Sequence, residues 1–291
     1  MARFEVPEVD YTRYTNRQLA AVPLAVLAVA LVVIGGMFVA TGAPVDPGID
    51  FTGGTQLRVA VDAPSGQAQE QIRAAFSATP DTIQSVRGSD IYIVTFEKSD
   101  VSATQLEQQA QQAGFTVQST ENVSAGFGQQ TQWLALGGVV VAFLGMSVLV
   151  FGMFRSFVPS IAVVVSAFSD IVIPVALMNL LGIELTLGTV AALLMLIGYS
   201  VDSDILLNNH VLRRSGDFYE STHRAMRTGV TMTLTSLAAM AVMAVAATLL
   251  GIGLLSSIGI ILVFGLAADL MNTYMLNLSL LRWYKFEGVA R

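Results

Sequence analysis

Ala191-Ala192-Leu193-Leu194-Met195-Leu196-Ile197-Gly198-Tyr199-Ser200-Val201-Asp202-Ser203-Asp204-Ile205-Leu206-Leu207 is an apolar run interrupted by two carboxylates. The chain around it is 54% hydrophobic and only 12% charged, with a mean hydropathy of +0.64. That is too apolar for a soluble domain of 291 residues, so the run reads as a membrane span. An Asp at the centre of such a helix costs roughly 2.5–3.5 kcal/mol on insertion scales. Acids at that depth therefore face a bundle interior or a water-filled path and handle protons, ions or substrate.

Working outward, six stretches supply the ~20 apolar residues that a helix needs to cross ~30 Å of hydrocarbon: 18–40, 132–153, 157–180, 185–212, 226–249 and 254–281. The first is too long for a signal-peptide core and no clear small-residue cleavage site follows it, so it reads as a retained span. The layout is one span, a polar segment over 45–131, then a five-helix bundle over 132–281, with 1–17 and 282–291 as flanking segments.

Charge assigns the sides. Asp46, Asp50, Asp62, Glu70, Asp81, Asp90, Glu97, Asp100, Glu107 and Glu121 face only Arg58, Arg73, Arg87 and Lys98 within 45–131. The remaining bases, Arg3, Arg13, Arg17, Arg155, Arg213, Arg214, Arg224, Arg227, Arg282, Lys285 and Arg291, flank the spans on one side. The positive-inside rule then predicts cytoplasmic termini and an extracellular 45–131 domain. Its acidic, Gln-rich, lysine-poor composition suits a protein bathed in high salt, and suits a general solubility device equally. Without cysteine, that domain relies on packing alone.

Breakers at Gly42, Pro44, Pro47 and Gly48 mark the exit from the first span. Alternation over 55–61, helical spacing of Ile72 and Phe76 over 65–77, and strand-like runs over 82–86 and 91–96 follow, the last two separated by the hairpin signal Arg87-Gly88-Ser89-Asp90. A helix over 102–113 capped by Ser102 and a strand over 115–120 complete the order βαββαβ, the ferredoxin-like motif. Gly53-Gly54 is followed by no Lys-Ser/Thr, so these glycines serve a tight turn or close backbone approach rather than a phosphate.

Successive helix positions differ by about 100°, so Asp202 and Asp204 point about 200° apart and need separate partners. Ser200 and Asn208 share the Asp204 face, and the Asp202 face continues through Gly198 and Tyr199. Asp202 is the preferred proton or ion carrier, with Asp204 nearer the cytoplasmic end. Arg227 opens the fifth span ahead of a polar stripe in which Thr228, Thr231 and Thr235 share a face. Beside either carboxylate, Arg227 would make proton uptake conditional on separating the pair; alone, it would snorkel to the interface. Asp269, with Asn272 and Asn277, reads as interhelical glue. His210 and His223 read as interfacial residues. No metal-ligand spacing, nucleophile elbow or basic nucleic-acid patch is present, so no cofactor, enzymatic activity or nucleic-acid partner is expected.

Gly48-Ile49-Asp50-Phe51-Thr52-Gly53-Gly54-Thr55 after the first span and Gly198-Tyr199-Ser200-Val201-Asp202 inside the fourth resemble the two signature stretches of the SecF family of protein-export membrane proteins. Asp170 late in the third span, Glu184 in a Gly-Ile-Glu turn and Arg227-Thr228 extend the likeness over nearly the whole chain. The resemblance implies a subunit that partners SecD beside the Sec protein-conducting channel, acting on unfolded secretory polypeptides within the lipid bilayer. It also implies kinship with the resistance-nodulation-division superfamily, in which proton flow moves external domains. Bacterial relatives usually carry Asn and Asp where this chain has Asp202 and Ser203, and the Asp-Ser-Asp pattern is similar to the archaeal type. The site so implied comprises Asp202, Asp204, Arg227, Asp170, Ser203 and Thr228. A small-molecule or lipid transporter subunit of the same superfamily and a passive membrane scaffold are the competing readings.

Overall fold

The computed structural model describes residues 9–86, 90–97, 101–213 and 217–288. The first span, α1 (Asn16–Thr41), starts where the Thr15 hydroxyl accepts the Gln18 amide and the Gln18 side chain returns to the Thr15 amide. It stops at Gly42, whose φ of 81° is left-handed. A helical turn α2 (Ile49–Thr52) then leads into the sheet domain.

That domain runs β1 (Gly54–Ala60), α3 (Ser65–Ala75), β2 (Thr82–Ser85), β3 (Ile91–Phe96), α4 (Ala103–Gln112) and β4 (Thr116–Val123), as the alternation in the sequence predicts. The strands form one antiparallel sheet in the order β2-β3-β1-β4, the ferredoxin-like arrangement. Leu57, Val59, Tyr92, Val94 and Phe96 point to the helix-covered face and bury against Ile72, Leu106 and Phe115. The other face, carrying Arg58 and Ile93, overlies the bundle, where the Arg58 guanidinium donates to the Gly251 carbonyl. Ser102 caps α4 as expected, whereas Arg87, Gly88 and Ser89 of the hairpin signal lie outside the described residues.

Five further spans follow: α5 (Ala125–Phe154), α6 (Phe157–Leu181), α7 (Leu187–Arg213), α8 (Phe218–Leu249) and α9 (Gly253–Met271), the last continued by a π turn (Asn272–Asn277) and α10 (Leu278–Trp283). Among the described residues six helices are thus long and apolar enough to cross a membrane. Three details differ from the sequence reading. Helix α5 begins at Ala125, seven residues before 132, because Ser124 caps it. Helix α8 begins at Phe218, which sets Arg227 within the helix rather than at its start. The π turn has no signature in the hydropathy pattern. Helices α6 and α7 are the most enclosed spans, while α1 and α5 present most of their surface outward.

Candidate functional site

Three elements of the bundle converge on one buried polar network. Helix α6 supplies Asp170, α7 supplies Ser200, Ser203 and Asp204, and the last span supplies Asp269, Asn272, Thr273 and Asn277, all buried. Ser200 and Asp204 are four apart on α7, and Asp269, Thr273 and Asn277 are spaced by four along the last span, so each set shares a face. The wider π turn also brings Asn272 and Asn277, five apart, into the same network.

The Asp170 carboxylate accepts from the Ser200 hydroxyl and, at 2.6 Å, from the Asn272 amide. Asp269 accepts from the Ser203 hydroxyl at 2.7 and 2.9 Å through its two oxygens. Asp204 Oδ1 accepts from Thr273 Oγ1 at 2.8 Å and from Asn277 Nδ2 at 2.7 Å. Thr273 also lies 3.2 Å from Asp269 Oδ1, and so stands between two of the three carboxylates. No lysine or arginine is buried among the described residues. Neutral donors alone leave a large desolvation penalty on three ionised carboxylates, which a proton or a bound cation relieves.

Asp202 stands elsewhere. It is exposed on the outer face of α7 with Gly198 and Tyr199, as the 200° offset from Asp204 requires. Arg227 and Thr228 are exposed on α8 and, with His210, Arg224, Thr231 and Thr235, line an open groove of about 790 Å³. The arginine–carboxylate pair expected from the sequence is therefore not formed within the chain. Helix α8 turns Ala225, Met226, Gly229 and Thr233 inward, which carries Arg227 outward. Thr231 and Thr235 donate to carbonyls one turn back, at 2.7 Å each, so the stripe is satisfied by its own helix.

The glycine-rich stretch after α1 forms a joint with the turn between α6 and α7. Gly48 N donates to Leu185 O at 2.8 Å, Leu185 N donates to Asp46 O at 2.7 Å, and Asp50 Oδ2 accepts from Leu187 N at 2.9 Å. A side chain on Gly48 would meet Thr186, Glu184 and the Leu185 carbonyl at 3.0–3.2 Å. Gly54 has φ of 128°, and its Cβ would sit 2.8 Å from Glu97 Cα, so both close approach and backbone conformation require glycine there. Gly53, with φ of 76°, makes the turn into β1. Ile49 and Phe51 are buried, and the Thr52 hydroxyl bonds back to the Gly48 and Gly53 carbonyls. Glu184 is half-buried here and accepts from Gln84 Nε2 of β2 at 3.1 Å. Burial, then the charges of Asp46 and Glu97, push its carboxyl up to about 7.

Of the residues singled out from sequence, the structure brings Asp170, Ser200, Ser203 and Asp204 together and leaves Asp202, Arg227 and Thr228 on outer faces. Asp269 does join helices, through Ser203, but it does so inside the carboxylate network. Thr273 was not anticipated. The polar repeat Asp269, Thr273, Asn277 at helical spacing was the signal that marks it.

Residues 102–287 match the family model described as protein export membrane protein SecD/SecF, C-terminal, and residues 38–65 match that of the SecD/SecF GG motif. The chain is 74% identical over 291 residues to the protein-export membrane protein SecF of Haloferax volcanii, covering 100% of both chains. It is 37% identical over 280 residues to that of Pyrococcus furiosus, covering 94% of this chain and 93% of the other. A crystal structure of SecDF, a translocon-associated membrane protein from Thermus thermophilus, superposes with a TM-score of 0.73 at 20% identity, over 96% of this chain. This chain spans only 39% of the length of that one.

Proposed function

The chain belongs to the SecD/SecF family of protein-export membrane proteins, and from that premise we propose that it is an accessory subunit of export that pairs with SecD beside the Sec channel and uses the proton gradient. The observation that carries the reading is the buried network of Asp170, Asp204 and Asp269, which spans three helices with no buried lysine or arginine among the described residues. Protons entering and leaving such a network change its hydrogen bonding, and with it the packing of the helices that hold it. Helix α7 carries Ser200, Ser203 and Asp204 in its membrane half and begins at the external joint, where Asp50 holds Leu187. A shift of α7 along its axis would reach the external domain directly.

The outward residues fit a partner. Gly198, Tyr199 and Asp202 on α7, and Arg227 and Thr228 on α8, are polar or small groups on faces that an isolated span would offer to lipid. A charged side chain at such a position is expensive in hydrocarbon, and a neighbouring bundle with complementary groups removes the penalty. We assign this surface to SecD, with both termini cytoplasmic and the sheet domain extracellular.

The test is export of a secreted reporter from cells carrying Asp204→Asn, Asp170→Asn or Asp202→Asn, with membrane accumulation measured in parallel. Asp204→Asn and Asp170→Asn are expected to accumulate normally and to lose export enhancement. Asp202→Asn is expected to weaken co-purification with SecD. Full export from cells in which all three proteins accumulate and co-purify normally would leave only the scaffold reading.

A further inference from the structure

We propose that the Asp204 end of the buried network seats a dehydrated alkali-metal cation, ligated by Asp204 Oδ2 with the side-chain oxygens of Ser166, Asn208 and Asn277. This goes beyond proton coupling and stands whether or not export is driven by a gradient.

The three buried carboxylates are not equivalent. Both oxygens of Asp170 accept a hydrogen bond, from Ser200 and Asn272, and both oxygens of Asp269 accept from Ser203. Asp204 receives both of its donors, Thr273 and Asn277, on Oδ1. Among the described residues its Oδ2 has no hydrogen-bond partner, and neither do Ser166 Oγ, Asn208 Oδ1 or Asn277 Oδ1. All four residues are fully buried.

The residues that carry these atoms are neighbours. Asn277 is held against Asp204 by its own amide nitrogen at 2.7 Å. The Ser166 hydroxyl of α6 sits beside the Asp204 carboxyl without meeting hydrogen-bond geometry. Asn208 lies one turn from Asp204 on α7, its nitrogen donating to Pro159 O at 3.3 Å. The two amides are oriented by what their nitrogens do: turning either one over would set oxygen against oxygen. What remains is a carboxylate oxygen, two amide oxygens and a hydroxyl, rich in lone pairs and poor in hydrogens.

Buried acceptors of this kind are costly when unpaired. Hard cations take oxygen ligands of these types. The charge also selects the ion. Asp204 is the one carboxylate among the four residues whose oxygens are left without a partner here. One carboxylate with neutral oxygens balances a single positive charge.

The experiment is thermal unfolding of the full chain in detergent, titrated with sodium, potassium or lithium chloride against N-methylglucamine chloride at constant ionic strength. The expected result is a saturable rise in midpoint with at least one alkali cation and none with N-methylglucamine, and the effective cation identifies the ion. Asp204→Asn is expected to abolish the response. Ser166→Ala, which removes one ligand and little volume, is expected to raise the half-saturating concentration by about tenfold or more. If Asp204→Asn does not accumulate, Ser166→Ala decides alone. Equal midpoints in all four salts, as a water or a proton at Oδ2 would produce, overturn the proposal, as does a wild-type response in either variant. Because the readout is binding and not export, this result is independent of the export assay.

Discussion

Asp50 Oδ2 accepts the backbone amide of Leu187, the first residue of α7, at 2.9 Å. The residues are 137 positions apart, yet the carboxylate does for α7 what a local N-cap does, satisfying an amide that the helix itself leaves unpaired. It places the acid of the Gly-Ile-Asp-Phe-Thr-Gly-Gly stretch where the positive end of the α7 dipole favours a negative charge.

Asp50→Ala should therefore cost about 0.5–2 kcal/mol, as loss of a cap does. The expected signature is local: faster amide exchange at Leu187 and its neighbours, with the sheet core around Leu57 and Val94 unchanged. Asp50→Asn, which keeps an acceptor oxygen, should lose less.

Glu184 makes the same joint sensitive to pH. Its carboxyl is pushed up to about 7 from 4.5, first by burial and then by Asp46 and Glu97. The protonated form is thus the one favoured in the folded joint. Its stabilisation is complete below the unfolded value and is lost as pH rises through about 7. Exchange protection at the Gly48 and Leu185 amides should fall over that window after correction for intrinsic rates. Glu184→Gln, which cannot ionise, should flatten the dependence; an unchanged profile in the variant would rule Glu184 out as its source.

Thr273 is the hydroxyl shared between Asp204 and Asp269. Thr273→Val keeps the shape and removes the donor. Interhelical hydrogen bonds in membranes average about 0.6 kcal/mol with a maximum near 1.7, while orphaning a buried acceptor costs about 1–3 kcal/mol. The loss should fall between these, and a double-mutant cycle with Asp204→Asn should show that the two changes are not additive. Additivity would mean that the bond contributes nothing.

The side of the membrane can be read with single cysteines, since the natural chain has none. Gln118 lies on the exposed edge strand β4 and Glu287 follows the last span, both exposed. An impermeant thiol reagent applied to intact cells should label Gln118→Cys and spare Glu287→Cys. The reverse pattern would invert the topology.

Much of this protein is legible in its sequence because burial in a bilayer or in a half-covered sheet imposes a period. Runs of apolar residues locate the six spans, period-two alternation locates β1, and the capping residue Ser102 fixes the start of α4, all through interactions within a few residues. The angle between Asp202 and Asp204 also follows from helix geometry alone. Which of the two faces inward does not, because hydropathy around α7 is nearly uniform and the choice depends on which neighbours pack against each side. Tertiary structure decided that Asp204 meets Thr273 and Asn277, that Arg227 turns outward, and that a π turn brings Asn272 to Asp170. It likewise decided that Asp50 reaches α7. These are pairings over 69 to 137 positions, set by the crossing of helices and the docking of a domain, and no local propensity encodes them.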